Sequence, residues 1–184
     1  MWSGAIKAPQ SSDWQVIDFD GQIELLAKNH DRRNFVCGEP LLDDYLRRLA
    51  RQHAESKISR TYVGVKGDRI LGYYSLAMSA IRREQLPQQY QKRFPNYPVP
   101  VARLARLAVD QSQQGKGLSK LLLLDALYRC HRLSEEIGSV GVIVDAKNAR
   151  AQSFYSQMNF EEFPETPLTL WLPVEAITRL FGDK

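Results

Sequence analysis

The chain has 184 residues and a mass of 21.1 kDa, the size of one compact domain with enough length for a sizeable core. Hydrophobic residues at 43% and charged residues at 25% exclude wholesale disorder, and apolar runs such as Leu121–Leu124 are far too short for a membrane span. Twenty-five Lys and Arg against 21 Asp and Glu give a net charge of +4, too mild by itself to establish a polyanionic partner.

Residues 1–13 read as a loose extension without the apolar segment of a secretory signal. Trp14–Phe19 predicts a first strand. Leu41–Ala54 predicts a helix with Leu42, Tyr45, Leu46 and Leu49 on one stripe and Arg47, Arg48 and Arg51 mostly off it. Thr61–Val65 and Ile70–Ser79 are β-rich runs joined by Lys66-Gly67-Asp68-Arg69, a hairpin turn signal. Residues 83–98 carry Pro87, Pro95 and Pro98 and predict an irregular, partly helical excursion. Then come a strand over Val101–Val109, a long helix over Gly117–Glu136 and a strand over Val140–Asp145. A helix over Ala149–Met158, short strands at Phe160–Phe163 and Leu168–Leu172, and a terminal helical turn or two at Val174–Phe181 complete the chain. An antiparallel hairpin followed by a strand–helix–strand unit predicts an α+β fold. Its sheet should be mixed and mostly antiparallel, of six to seven strands, with helices on both faces of a single domain spanning residues 1–184. Cys37 and Cys130 lack metal-ligand spacing and predict buried free thiols in a reducing cytoplasm.

The charge is unevenly placed. Between Arg82 and Arg106 stand six basic residues (Arg82, Arg83, Lys92, Arg93, Arg103 and Arg106) against one acid, Glu84. Arg47, Arg48 and Arg51 form a second group, while Glu161, Glu162, Glu165, Glu175 and Asp183 make the C-terminal stretch acidic. A polarised molecule with a basic side for a polyanion and a merely solvated basic face are equally good readings of composition alone.

The chemistry concentrates where the strand ending at Val109 runs through Gln114-Gly115-Lys116-Gly117-Leu118-Ser119 into the long helix. Two glycines let backbone N–H groups converge, and the helix start adds its unpaired N–H groups and positive dipole end. That combination suits a pyrophosphate, although an ordinary strand-to-helix turn also uses glycine. Neither the Walker A pattern nor the GxGxxG dinucleotide fingerprint is present.

This segment resembles motif A of the GNAT family of acetyl-CoA-dependent N-acyltransferases, with Ser119 where a Gly or Ala is usual. Asn148-Ala-Arg-Ala-Gln-Ser-Phe-Tyr155-Ser-Gln-Met-Asn159-Phe160 resembles the family's motif B, with Asn159 in place of Gly. Asn also tolerates the left-handed conformation of a helix C-cap. Upstream, Phe35-Val-Cys-Gly-Glu-Pro-Leu-Leu-Asp-Asp-Tyr45-Leu-Arg-Arg-Leu-Ala-Arg-Gln52 and Pro98–Asp110 are similar to segments of the GNAT toxins of bacterial toxin–antitoxin pairs. The resemblance implies acetyl transfer to the α-amine of the amino acid on charged tRNA, a ribbon-helix-helix antitoxin partner and a homodimer.

It also implies roles for particular residues. Leu107, Ala108 and Val109 would hold the pantetheine arm of acetyl-CoA through their backbone, in a gap opened by a β-bulge. Gln114, Gly115, Lys116, Gly117, Leu118 and Ser119 would hold its pyrophosphate, and Asn148 and Ser153 would contact the arm. Tyr155 would be the general acid for the departing thiolate; without the motif it reads as a half-buried aromatic beside Phe154. Arg82, Arg83, Lys92, Arg93, Arg103, Arg106, Arg47 and Arg51 would face nucleic acid, although some of them equally suit coenzyme A's 3′-phosphate or an antitoxin. His30, His53 and His131 are scattered and read as structural, and Asp43 and Asp44 as stabilising a helix start. The strand over Val101–Val109 contains no Asp or Glu, and Asp110 is the nearest acid. A lysine (pKa about 10.4) would benefit from a base, whereas an α-amine (about 7.7–8.0) is substantially neutral near pH 7. Acetylation of a small amine or a protein N-terminus, and a non-catalytic acyl-CoA-binding module, are the other readings.

Overall fold

The computed structural model describes residues 19–181, so the N-terminal extension and most of the strand expected at Trp14–Phe19 lie outside the described residues. The first described strand is instead β1 (Gln22–Leu25), a four-residue edge strand that pairs antiparallel with β2 (Arg60–Lys66). Between them, α1 (Pro40–Asp44) continues through a π-helical turn (Tyr45–Leu49) into α2 (Ala50–Glu55). Pro40 suits a helix start because its missing N–H would have no helical partner there. The π turn advances the helix by one residue and shifts its buried stripe. Leu49, expected on that stripe, is therefore 42% exposed, and Ala50 is fully buried in its place.

β2 and β3 (Arg69–Ile81) form the expected hairpin, turning at Gly67 with φ of +61°. A 3₁₀ turn (Arg83–Gln85) and the single-turn α3 (Gln88–Gln91) make up the proline-bearing excursion. β4 (Val99–Val109) leads through a 3₁₀ turn (Gln111–Gln113) to α4 (Leu118–Ile137). Then follow β5 (Gly141–Asp145), α5 (Ala149–Ser156), β6 (Glu161–Glu162), β7 (Thr169–Pro173) and α6 (Val174–Phe181). The seven strands lie in the order β1-β2-β3-β4-β5-β7-β6, and only β4 and β5 run parallel. The mixed, mostly antiparallel α+β sheet is thus as the sequence predicts.

One face of the sheet packs against α4 and α6 through Tyr74, Leu104, Val142, Val144, Leu122, Leu127 and Ile177. α4 lies close: a Cβ on Gly72 would sit 2.7 Å from the Leu122 side chain. The opposite face carries two apolar clusters. Phe35, Tyr45, Leu46, Ala50 and Tyr73 pack beneath the α1–α2 helix. Leu86, Val101, Ile143, Phe163 and Trp171 pack under the α3 region. Cys37 and Cys130 are both buried and free, and burial pushes each thiol up to about 12, so both stay protonated and unreactive.

The buried side of α4 carries a charged group with little access to water. Asp125 is buried, accepts a short hydrogen bond from the Tyr74 hydroxyl, and receives Arg129 Nε at 2.8 Å. Arg129 in turn lies 3.9 Å over the Tyr62 ring, which stacks on Tyr74 at 5.2 Å. Burial, and then the neighbouring Asp125 charge, hold the Tyr74 hydroxyl well above the usual phenol range, so it remains a donor.

Candidate active site

The site is a break in the sheet. β4 and β5 pair only over Ala102–Leu104 against Val142–Val144, although β4 runs on to Val109. From Ala105 onward the β5-facing edge of β4 is unpaired, and its amide groups are offered to a ligand. The cause is local. The β3–β4 register jumps from Ser75↔Arg106 to Leu76↔Leu104, so Ala105 is an extra residue that bends β4 away from β5. The bulge expected beside Leu107, Ala108 and Val109 is therefore in place, with Leu107 and Val109 standing opposite Tyr74 and Gly72 of β3.

At the far end of that edge, Gly115 and Gly117 both adopt left-handed backbone, with φ of +77° and +85°. Gly117 is the N-cap of α4, and the first intrahelical bonds run from Lys120 and Leu121 to its carbonyl. The N–H groups of Leu118 and Ser119 stand ahead of that ladder and point along the helix axis toward the loop. Only the backbone of this segment is available for a phosphate in several cases. Leu118 is buried under β3, and Lys116 Nζ bonds the Ser112 carbonyl at 2.8 Å. Gln114 Nε2 bonds the Cys37 and Val109 carbonyls at 2.9 and 3.0 Å, bracing the loop against the segment before α1. Gly117→Ala should raise the Kd for acetyl-CoA about tenfold by calorimetry, because left-handed backbone costs an L-residue about 1–2 kcal/mol and the loop relaxes instead.

Asp110 is fully engaged. Its Oδ2 accepts from the Val36 N–H at 3.1 Å, and its Oδ1 accepts from the Ser112 N–H and hydroxyl at 3.0 and 2.6 Å. Burial pulls its carboxyl up, but these hydrogen bonds and Arg69 hold it below the usual carboxylate range. It pins the Phe35–Cys37 segment to the end of β4 and is no free base.

Tyr155 lies on α5, buried against Phe154 and Phe160 on the same side of the sheet as Val142 and Val144. Burial alone pushes its phenol well above the ordinary range, so the hydroxyl holds its proton. Asn148 caps α5, its Oδ1 accepting from the Ala151 N–H at 3.0 Å, and Ser153 is exposed on the same helix. The chain reverses at Asn159, whose φ of +64° is the left-handed conformation its position predicts, and the Phe160 N–H closes onto the Tyr155 carbonyl. His30, His53 and His131 are structural: His30 bonds Glu24 at 2.6 Å, His53 packs edge-on against Tyr45, and His131 stacks near Phe181.

The basic residues divide. Arg103 and Arg106 flank the gap on the face opposite Tyr155: Arg106 lies 3.7 Å over the Tyr45 ring, and Arg103 forms an ion pair with Asp145. Arg93 pairs with Glu175, Arg83 with Glu84 at 3.2 Å, and Arg51 with Glu55 at 3.4 Å. Arg47 donates to the Phe35 carbonyl at 2.7 Å and belongs largely to the packing of α1–α2. Arg82 and Lys92 are exposed, and with Arg106 they enter no salt bridge among the described residues. The acidic stretch is not segregated on its own side, since Glu175 and Glu161 reach back to Arg93 and Tyr90 of the basic run. Two polar groups on the arginine-bearing face of the sheet were not singled out by sequence. Asp145 ends β5, its Oδ1 accepting from Thr169 Oγ1 at 2.9 Å, and Ser75 Oγ is buried without a hydrogen-bond partner among the described residues. Only the break between β4 and β5 gives them meaning, and the sequence marks that break by no residue of its own.

Residues 57–162 match the family described as Acetyltransferase (GNAT) domain. A tRNA-acetylating toxin of Mycobacterium tuberculosis is 39% identical over 153 residues, 83% of this chain and 92% of its own. The solved structure of AtaT complexed with acetyl-methionyl-tRNAfMet superposes with a TM-score of 0.82 at 32% identity, covering 89% of this chain and 100% of that one. A tyrosine-to-phenylalanine variant of the AtaT toxin, bound to the C-terminus of the antitoxin AtaR and acetyl-CoA, superposes with a TM-score of 0.77 at 28% identity over 89% and 99%. An unpaired strand edge for an amide-bearing arm, leading to two left-handed glycines and a helix N-terminus for a pyrophosphate, fits acetyl-CoA as the acyl donor. In sequence match, in sheet topology and in the build of its donor site, the chain belongs to the GNAT acetyltransferase family.

Proposed function

We propose that this protein transfers the acetyl group of acetyl-CoA to the α-amine of the amino acid on charged tRNA, as the toxin of a toxin–antitoxin pair. The observation that carries the reading is a gap flanked by Arg103 and Arg106 on one face of the sheet, with the buried Tyr155 in the cluster on the other. The match to a tRNA-acetylating toxin over 92% of its length supports the acceptor. So does the absence of an acid on β4, since an α-amine is substantially neutral near pH 7 and a lysine is not. The single domain spans residues 1–184 and works in the cytoplasm as a homodimer, with a ribbon-helix-helix antitoxin as its partner. No helix among the described residues is long and apolar enough to cross a membrane.

When bound, acetyl-CoA supplies an activated acetyl thioester. Backbone groups of Leu107, Ala108 and Val109 hold the arm, and the N–H groups of Gly115, Gly117, Leu118 and Ser119 hold the pyrophosphate, with Gln114 and Lys116 shaping that loop. Asn148 and Ser153 line the α5 side. A backbone N–H in the gap polarises the thioester oxygen. Tyr155 gives its proton to the departing sulfur and recovers one from solvent; burial keeps the phenol loaded across the physiological range. Arg82, Arg83, Lys92, Arg93, Arg103, Arg106, Arg47 and Arg51 are the nucleic-acid contacts in this reading, with phosphate binding supplying affinity and little sequence information. The exposed Arg82 and Lys92 and the gap-flanking Arg106 lead that set.

A reconstituted translation reaction tests the function. The protein with acetyl-CoA should stop peptide synthesis, and withholding acetyl-CoA should restore it. Synthesis that continues with acetyl-CoA present, while a peptide N-terminus or a free small amine becomes acetylated, would move the acceptor to that class.

A further inference from the structure

Among the described residues, every carboxylate near the gap but two is committed elsewhere. Asp110 and Asp43 are buried and bonded to backbone N–H groups, and Glu161 and Glu162 bond Tyr90 and Gln152 on the far side of β7. Asp125 is on the buried side of α4, paired with Arg129. That leaves Glu39, paired with Lys147, and Asp145.

Asp145 is the first residue of β5 beyond the β4–β5 pairing, so it stands at the apex of the gap. Its side chain lies on the same face as Ile143, because residues two apart in a strand share a face, and Ile143 packs with Trp171 and Val101. The Arg103 guanidinium on β4 meets it there, so the pair bridges the apex. Thr169 Oγ1 on β7 fixes its other oxygen at 2.9 Å. The carboxylate is held by two donors from two strands, yet its side chain remains 58% exposed and has lone pairs to spare. Tyr155 belongs to the cluster on the other face of the sheet. An amine approaching from the arginine-bearing face therefore meets Asp145 first, and the thiolate leaves toward Tyr155.

We propose that Asp145 is the catalytic carboxylate that orients the acceptor amine and takes its proton. The role rests on the acyl-transfer reading above. As the amine nitrogen bonds to the acetyl carbon it becomes positively charged, and Asp145 accepts the proton that must leave it. The carbon–sulfur bond breaks with its electron pair on sulfur, which takes a proton from Tyr155. Asp145 then returns its proton to water, so no oxidant, reductant or further co-reactant is required. Arg103 serves as a positioning residue that keeps the carboxylate turned to the gap.

Asp145→Ala tests the assignment, with acetyl transfer to charged tRNA and to an amino-acid methyl ester measured side by side. The variant should lose at least thirtyfold in kcat with KM for charged tRNA changed less than threefold, and formate at high millimolar concentration should restore at least tenfold of the loss. Asp145→Asn should lose as much and gain nothing from formate, because its amide fills the site. Glu39→Gln should stay within twofold of the parent. A structural role would lower activity without formate rescue, so unrescued loss overturns the proposal, as does undiminished kcat or a collapse in Glu39→Gln instead. Wild-type protein that acetylates the methyl ester but not charged tRNA would overturn the acceptor reading alone and leave the Asp145 measurement standing on the ester.

Discussion

Tyr155→Phe should lower acetyl transfer by 10²–10⁴-fold, the usual span for removing a positioned general acid, while leaving acetyl-CoA affinity within a few-fold. The substitution deletes one hydroxyl from a buried ring that packs against Phe154 and Phe160, so the aromatic cluster and the α5 turn at Asn159 stay as they are. That makes the split diagnostic: kcat falls and binding survives. A pH profile adds a second readout. Burial holds the Tyr155 phenol above its ordinary pKa of about 10, so its acid form persists as pH rises, and the alkaline limb of wild-type activity should lie above that value. A variant with parental turnover would remove Tyr155 from the chemistry and return it to the role of a core aromatic.

Asp125→Ala should have the largest effect on stability, about 3 kcal/mol, at the lower end of what breaking a buried charge pair costs. The aspartate projects from the buried side of α4, where it satisfies the Tyr74 hydroxyl and Arg129 together. Removing it leaves the hydroxyl buried without an acceptor and the guanidinium without its counter-charge, and the partial exposure of Arg129 keeps the cost from rising further. Urea unfolding should show a lower midpoint at an unchanged slope. Glu136→Ala, which breaks the exposed Arg132–Glu136 pair on the same helix, should cost less than about 0.5 kcal/mol. Similar costs for both would mean that Asp125 is better hydrated than its burial indicates.

The contrast between these residues shows what was legible in the sequence. Periodicity placed α4 and the β2–β3 hairpin, because their apolar spacing and the Gly67 turn are local properties. The glycine loop and the α5 motif were legible for the same reason, since each function depends on neighbours in the chain. β1 was not found: it is four residues long, lies at the edge of the sheet and owes its pairing to β2 rather than to its own pattern. Leu49 was misplaced because a π turn shifts phase with no residue to announce it. In sequence Gln114 reads as a ligand contact and Asp110 as the acid nearest β4; in the structure each fastens the segment before α1 to the end of β4 across more than seventy residues. Asp145 escaped notice because an acid at the end of a strand is ordinary until a neighbouring strand is seen to turn away from it. The basic run was legible as charge, yet its partition into paired and unpaired side chains depended on where Glu175 and Asp145 come to rest.

The proposed acceptor is the amino group of a charged tRNA received on one face of the β4–β5 gap. The most direct measurement is mass spectrometry of aminoacyl-adenosine released by nuclease from charged tRNA after incubation with the protein and acetyl-CoA. The account predicts a gain of one acetyl group on the amino acid of at least one charged species and none on the same tRNA once deacylated. Charged tRNA recovered without acetyl, or acetyl found equally on deacylated tRNA, would contradict it.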